Sequence, residues 1–183
     1  MTNGKVVLDG DDMRRTLVRI SHEIVERHDG SGPLALVGIQ RRGAVLAQRL
    51  HLLLSELVRD PVLLGQVDIS FYRDDLATRL ETPEVHATEI DFPIDGATVV
   101  IVDDVLFTGR TVRAAIEALF AYGRPARVQL AVLADRGHRE LPIRPDFIGK
   151  NLPTSRDERV NVHVVEIDGH DGVTIGDAES AAA

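Results

Sequence analysis

Residues 99–113 read Val99-Val100-Ile101-Val102-Asp103-Asp104-Val105-Leu106-Phe107-Thr108-Gly109-Arg110-Thr111-Val112-Arg113. An apolar run suited to a buried strand ends in two adjacent acids. A short loop with two hydroxyls and a glycine then opens a helix. In open α/β sheets the carboxyl ends of the strands are where ligands bind. Amides at a helix start, with the dipole behind them, favour an anion such as phosphate. This is not a Walker A loop, because G-x-x-x-x-G-K-[ST] is absent. Acids beside a phosphate cradle suit a ligand with sugar hydroxyls close to its phosphate, or one that carries Mg²⁺. The plainer alternative is a polar strand end followed by a capped helix. The coincidence of both acids with the loop, at a favoured binding position, argues for the site.

Three further groups carry chemistry. Arg41-Arg42-Gly43 follows the apolar run Leu34–Ile39 and would face the same edge. Tyr72-Arg73-Asp74-Asp75 opens a charged stretch without a clean period, containing Pro83, which reads as a long loop or flap over about 73–89. On the first helix Arg15, Arg19 and His22 form a polar stripe opposite Met13, Leu17, Ile20 and Ile24. That stripe has two open readings, a solvated face or a surface for an acidic partner.

The elements that must position these groups follow from the apolar pattern. Val6–Leu8 reads as an edge strand, Asp11–His28 as an amphipathic helix and Leu34–Ile39 as a buried strand. A helix is expected from about Ala44 to Leu57 and an extended segment over Gln66–Tyr72. Then come a strand over Ala97–Asp103, a helix over Thr111–Tyr122 and a strand over Val128–Leu133. This alternation predicts an α/β domain with a doubly wound, mainly parallel sheet and helices on both faces. Residues 1–183 form one domain in this reading, with a small hood over about 135–168, an extended run at Val162–Ile167 and a disordered tail over about 176–183.

Composition narrows the classes. The chain has 183 residues, 44% hydrophobic and 27% charged, and a formal charge of −8. Such a balance argues against a general nucleic-acid coater, though not against a local basic face. Without cysteine, disulfides and thiolate metal sites are excluded, and the seven histidines show no metal-binding spacing. The start lacks signal-peptide character and the apolar runs are short, so a cytoplasmic location with no membrane span is the expectation.

The segment Asp103–Arg113 resembles the phosphoribosyl pyrophosphate signature of type I phosphoribosyltransferases. Val37-Gly38-Ile39-Gln40-Arg41-Arg42-Gly43, Tyr72-Arg73-Asp74-Asp75-Leu76, Asp135-Arg136-Gly137-His138-Arg139-Glu140-Leu141-Pro142-Ile143-Arg144 and Gly149-Lys150-Asn151-Leu152-Pro153-Thr154-Ser155 narrow the resemblance. They are similar to the PyrR family, bifunctional pyrimidine operon regulators and uracil phosphoribosyltransferases. The likeness spans about Val6 to Ile167.

The resemblance implies a type I phosphoribosyltransferase fold that joins uracil to phosphoribosyl pyrophosphate, giving UMP and pyrophosphate with Mg²⁺. Asp103 and Asp104 would hold the ribose hydroxyls, and Val105, Leu106, Phe107, Thr108, Gly109, Arg110 and Thr111 would cradle the 5′-phosphate. Arg41, Arg42 and Gly43 would form the pyrophosphate loop, with Gly43 allowing close approach. Arg73 would reach pyrophosphate when the flap closes. No protein metal site is implied. Purine-type relatives carry an aspartate where this chain has Phe107, and an aromatic ring cannot act as a base. That favours a pyrimidine. Arg136 and Val160 are the base-contact candidates, with an Asp135–Arg136 ion pair left open as the alternative. The resemblance also implies that Arg15, Arg19, His22, Arg139, Arg144 and Lys150 bind the leader of pyrimidine operon mRNA under control of UMP or UTP, in a homodimer or higher homo-oligomer.

Overall fold

The computed structural model describes residues 4–69 and 88–177. Its centre is a five-stranded parallel sheet. In chain order its strands are β2 (Leu34–Ile39), β3 (Leu63–Val67), β4 (Thr98–Leu106), β5 (Arg127–Asp135) and β6 (Phe147–Asn151), and in space the order is β3-β2-β4-β5-β6. Helices α1 (Gly10–Arg27), α2 (Arg42–Leu57) and α3 (Arg110–Phe120) cover it.

Alternation along the strands divides the core. Leu34, Leu36, Val100, Val102, Ala131 and Leu133 pack with α1 and α2 through Met13, Leu17, Ile20, Leu46, Leu50 and Leu54. Their neighbours Ala35, Val37, Val99, Ile101, Leu130 and Val132 pack with α3 through Val112, Ala115 and Leu119. A strand buried on both faces must be apolar at every position, which is why β2 has no polar residue and all six of its residues are buried. The doubly wound expectation holds.

The periphery differs from the sequence reading. β1 (Lys5–Leu8), β7 (Glu158–His163) and β8 (Gly172–Asp177) form a separate antiparallel sheet in the order β1-β8-β7. The hood is therefore built from both ends of the chain, while β6, expected within it, pairs with β5 in the main sheet. The extended run expected at Val162–Ile167 ends at His163. It is followed by the one-turn helix α4 (Val165–Asp168), closed by Gly169 at φ 77°. Gly176 and Asp177, placed in a disordered tail, belong to β8. β3 starts three residues before the extended segment expected at Gln66–Tyr72 and overlaps it at Gln66 and Val67, and residues 70–72 lie outside the described residues. Antiparallel amide bonds join Gln66 to Glu89.

Candidate active site

The parallel strands all deliver their carboxyl ends to one edge, and three loops meet there. The first follows β2. A side chain at Gly38 would put Cβ 2.4 Å from the Cα of Ala44, and one at Gly43 would put it 2.5 Å from the carbonyl oxygen of Val102 and 3.2 Å from the Cα of Asp103. Two glycines therefore let the start of α2 lie against the backbones of β2 and β4. The need for glycine at Gly43 comes from this packing, and it brings Arg41 and Arg42 beside Asp103. Arg41 is exposed. Arg42 is bound to Asp168 of the hood, with Nη2 to Oδ1 at 2.7 Å and Nε to Oδ2 at 3.2 Å.

The second loop follows β4. Asp103 is buried and its Oδ1 accepts the Asp104 amide at 2.9 Å; Asp104, more exposed, accepts the Val105 amide at 2.8 Å. Beyond them, three successive carbonyls turn toward the 136–141 segment. Leu106 O accepts from Arg136 N at 3.1 Å, and Thr108 O from the amides of Glu140 at 3.0 Å and Leu141 at 3.2 Å. Phe107 O accepts from Arg139 Nη1 at 2.9 Å. In a trans peptide the N–H points opposite the C=O. The amides of Phe107, Thr108 and Gly109 consequently face away from that segment. They adjoin the first turn of α3, whose N-cap is Gly109 (φ 95°) with no side-chain bond of its own, and in which Arg110 N donates to Thr108 Oγ1 at 3.3 Å. Outward-facing amides at a helix start favour an anion. The Leu106 side chain is buried in the core, so that residue serves the loop through its backbone.

The third loop follows β5. Arg136 is 8% exposed and donates from Nε to Thr154 Oγ1 at 3.2 Å and from Nη2 to Ser155 O at 3.1 Å. Its guanidinium carbon lies 4.0 Å from the centroid of the Phe107 ring. Burial pulls the Arg136 pKa below its ordinary value. Asp135 pairs instead with Arg139, Oδ2 to Nη2 at 2.5 Å, which settles the alternative of an Asp135–Arg136 ion pair against it. His138, at φ 62°, puts its ring edge-on to Phe107 and its Nε2 2.6 Å from Thr154 O.

A model of the phosphoribosyl transferase domain family matches residues 5–167. A Bifunctional protein PyrR from Roseiflexus sp. (strain RS-1) is 61% identical over 172 residues, 93% of this chain and 94% of the relative. One from Chloroflexus aurantiacus is 55% identical over 175 residues, 96% of each. The chain belongs to the phosphoribosyl transferase domain family, among the bifunctional PyrR proteins. Among solved structures, a Trypanosoma cruzi hypoxanthine phosphoribosyltransferase has a TM-score of 0.71 at 20% identity, covering 93% of this chain and 95% of that one. One from Staphylococcus aureus has a TM-score of 0.70 at 21% identity, covering 96% and 94%. These establish the shared type I fold.

Other family residues fall in mixed places. Arg73 and the rest of Tyr72–Asp75 lie outside the described residues. Val160 is 7% exposed with its side chain in the core, so a ligand would meet it through the backbone. Arg15 and Lys150 flank Asp12, whose pKa is lowered chiefly by the Arg15 hydrogen bond. Arg19 donates to Ile148 O at 3.0 Å and Gly149 O at 2.6 Å, and Lys150 to Val7 O at 3.1 Å. These three share the face formed by α1 and β6, and His22 and Arg144 are exposed.

Arg139 departs from the surface role expected of it. Besides Asp135 and Phe107 O, it donates to Ile143 O at 2.9 Å and Gly137 O at 3.5 Å. Its guanidinium ties the 135–143 segment to the loop after β4. Sequence reasoning also missed Arg49, Asp168 and the acids near it, because their partners are more than 100 residues distant.

Proposed function

We propose that the protein transfers phosphoribose to uracil, forming UMP and pyrophosphate. The observation that carries this reading is the phosphate loop. Its carbonyls at 106–108 are all occupied on one side, and the amides of 107–109 point the other way, at the end of the strand that carries Asp103 and Asp104. Such donors hold the 5′-phosphate. The two carboxylates orient the ribose, so that C1 meets the base with the pyrophosphate leaving toward the Arg41–Gly43 loop. Among the described residues no group of three or more His, Cys, Asp or Glu gathers as a metal site. Two carboxylates at a strand end suit an ion that arrives with the diphosphate, as Mg²⁺ commonly does. That ion supplies charge neutralisation on the leaving group.

Phe107 supports the choice of base. The position offers an aromatic ring stacked on a guanidinium, with no carboxylate to take a proton from a purine. Uracil is weakly acidic and needs orientation more than a strong base. The test is UMP formation from uracil, phosphoribosyl pyrophosphate and Mg²⁺, with hypoxanthine and orotate as controls. Metal-dependent turnover of uracil alone is expected; turnover of hypoxanthine instead would overturn the assignment.

A second activity, regulation of pyrimidine genes by binding the mRNA leader under control of UMP or UTP, is favoured by the basic face. Arg15, Arg19 and Lys150 lie together on α1 and β6 of an otherwise acidic protein. A folded RNA loop is read by a few such groups and by backbone contacts. The active form in this reading is a homodimer, with sedimentation as its check.

A further inference from the structure

The start of α2 lacks what normally holds a helix N-terminus. Its N-cap is Arg41 in the helical region, with no side-chain cap, and its first turn has no acid. The macrodipole there favours negative charge, yet the first residue is another arginine, Arg42. The compensating carboxylate comes from the hood: Asp168, at the end of α4, takes Arg42 in two hydrogen bonds. Asp168 is itself fixed, since its Oδ2 accepts the Val164 amide at 2.9 Å and Gly169 closes its helix.

A second clasp joins the same two elements. Arg49 lies seven residues along α2 on the same face, and binds Glu166 (Nη2–Oε2 2.5 Å) and Asp171 (Nη2–Oδ1 2.8 Å). At 1.5 Å of rise per residue it is about 10 Å further from the loop. The two clasps have different reach. Arg49 fastens the body of the helix, whereas Arg42 is itself part of the 41–43 loop.

We propose that Asp168 is a positioning residue for the pyrophosphate loop, holding Arg42 so that the loop keeps its place beside Asp103. The inference rests on the reading that this loop takes the pyrophosphate of phosphoribosyl pyrophosphate. It gives the hood, which carries Val160 on β7, a direct bond to the opposite end of the ligand site. The effect belongs to phosphoribosyl pyrophosphate and pyrophosphate, not to uracil. In Asp168→Asn the side-chain amide keeps one acceptor for Arg42, turns a donor toward its other N–H and loses the charge.

The Arg49 clasp provides the control. Asp168→Asn takes the carboxylate from Arg42 and Glu166→Gln takes one of the two from Arg49, so a loss that came from general loosening of the hood on α2 would appear in both. Direct binding of phosphoribosyl pyrophosphate with Mg²⁺ by calorimetry, together with KM for each substrate, separates the two. Asp168→Asn is expected to weaken phosphoribosyl pyrophosphate binding about tenfold, a displacement of the loop by a fraction of an ångström being enough. Its KM for uracil should stay within about twofold. Glu166→Gln should change neither constant by more than about twofold. Asp168→Glu, which keeps the charge but shifts it by one methylene, is expected between wild type and Asp168→Asn, and serves alone if Asp168→Asn does not fold. Unchanged phosphoribosyl pyrophosphate affinity in both Asp168 variants, or equal losses in Asp168→Asn and Glu166→Gln, would overturn the inference. Failure of the wild-type protein to bind phosphoribosyl pyrophosphate would overturn the reading on which it rests, and the inference with it.

Discussion

The guanidinium carbon of Arg136 lies over the Phe107 ring, 4.0 Å from its centroid, at the point where the loop after β4 meets the 136–144 segment. A desolvated arginine normally seeks a carboxylate. Here two acceptors, Thr154 Oγ1 and Ser155 O, and the face of an aromatic ring serve instead. A cation over a ring contributes about 1–2 kcal/mol when shielded from water. Phe107→Ala should raise KM for uracil about fivefold or more while leaving KM for phosphoribosyl pyrophosphate within about twofold. Phe107→Tyr should be close to wild type. Steady-state kinetics with each substrate varied in turn checks this.

Gly43 and Gly38 make a second prediction from simple volume. Added Cβ atoms would lie 2.5 Å and 2.4 Å from backbone atoms of β4 and α2, distances that only backbone movement can relieve. Gly43→Ala and Gly38→Ala should each destabilise the fold by about 1–3 kcal/mol, the usual cost of overpacking. Gly43→Ala should also weaken phosphoribosyl pyrophosphate binding by displacing Arg41 and Arg42. Denaturant unfolding and direct binding measure the two effects.

These contacts show which parts of the molecule were legible in the sequence. β2 and β4 were, because a strand buried on both faces must be apolar at every position. The Asp103–Thr111 loop was also legible, since its acids, hydroxyls and glycine are contiguous. β6 was not, for its Gly149, Lys150 and Asn151 look like loop residues. Gly149 is needed because a side chain there would lie 2.3 Å from Leu133 O and 2.8 Å from Thr16. α4 was misread as extended because Val164, Val165 and Ile167 form an apolar run; Val165 is in fact 52% exposed. Arg42 and Arg139 were assigned to ligands through the family resemblance, Arg42 also by its place after a buried strand. Their partners within the fold, Asp168 and the Phe107 carbonyl, come from remote elements that no local pattern announces.

Arg139 separates structural from surface roles. Its guanidinium serves Asp135, Phe107 O, Gly137 O and Ile143 O, and the Asp135 side chain is only 10% exposed. Arg139→Gln leaves that carboxylate without its cation and should destabilise the protein by about 2 kcal/mol. Arg139→Lys should rescue it poorly, because a point charge cannot match a planar fork with several acceptors. Arg144→Gln, at an exposed position, should change stability by less than about 0.5 kcal/mol. Any loss of RNA affinity in Arg139→Gln will therefore accompany lowered stability, whereas a loss in Arg144→Gln will not. Unfolding curves beside RNA titrations distinguish the cases.

His163 makes stability depend on pH. It stacks on His170 with ring centroids 4.7 Å apart, its Nδ1 lies 4.0 Å from Asp168 Oδ1, and its Nε2 is buried with no partner among the described residues. Burial lowers its pKa below the ordinary 6.5; repulsion from His170 and Arg42 adds to this, and Asp168 opposes it. The folded state thus binds a proton at His163 less readily than the unfolded chain does. Between the lowered folded pKa and 6.5 the unfolded state holds more protons, so stability falls as pH drops through that window. The acids nearby contribute in a different range. Glu166 and Asp171 are held below their ordinary values first by hydrogen bonds from Arg49. Asp168 is lowered despite the opposing effect of burial, because Arg42 and the Val164 amide outweigh it. Their contributions are lost only below the ordinary carboxylate range. Unfolding free energy measured from pH 7.5 down to pH 5 should decline in the wild-type protein, and His163→Gln should flatten that decline. An identical slope in the variant would place the pH dependence on another group.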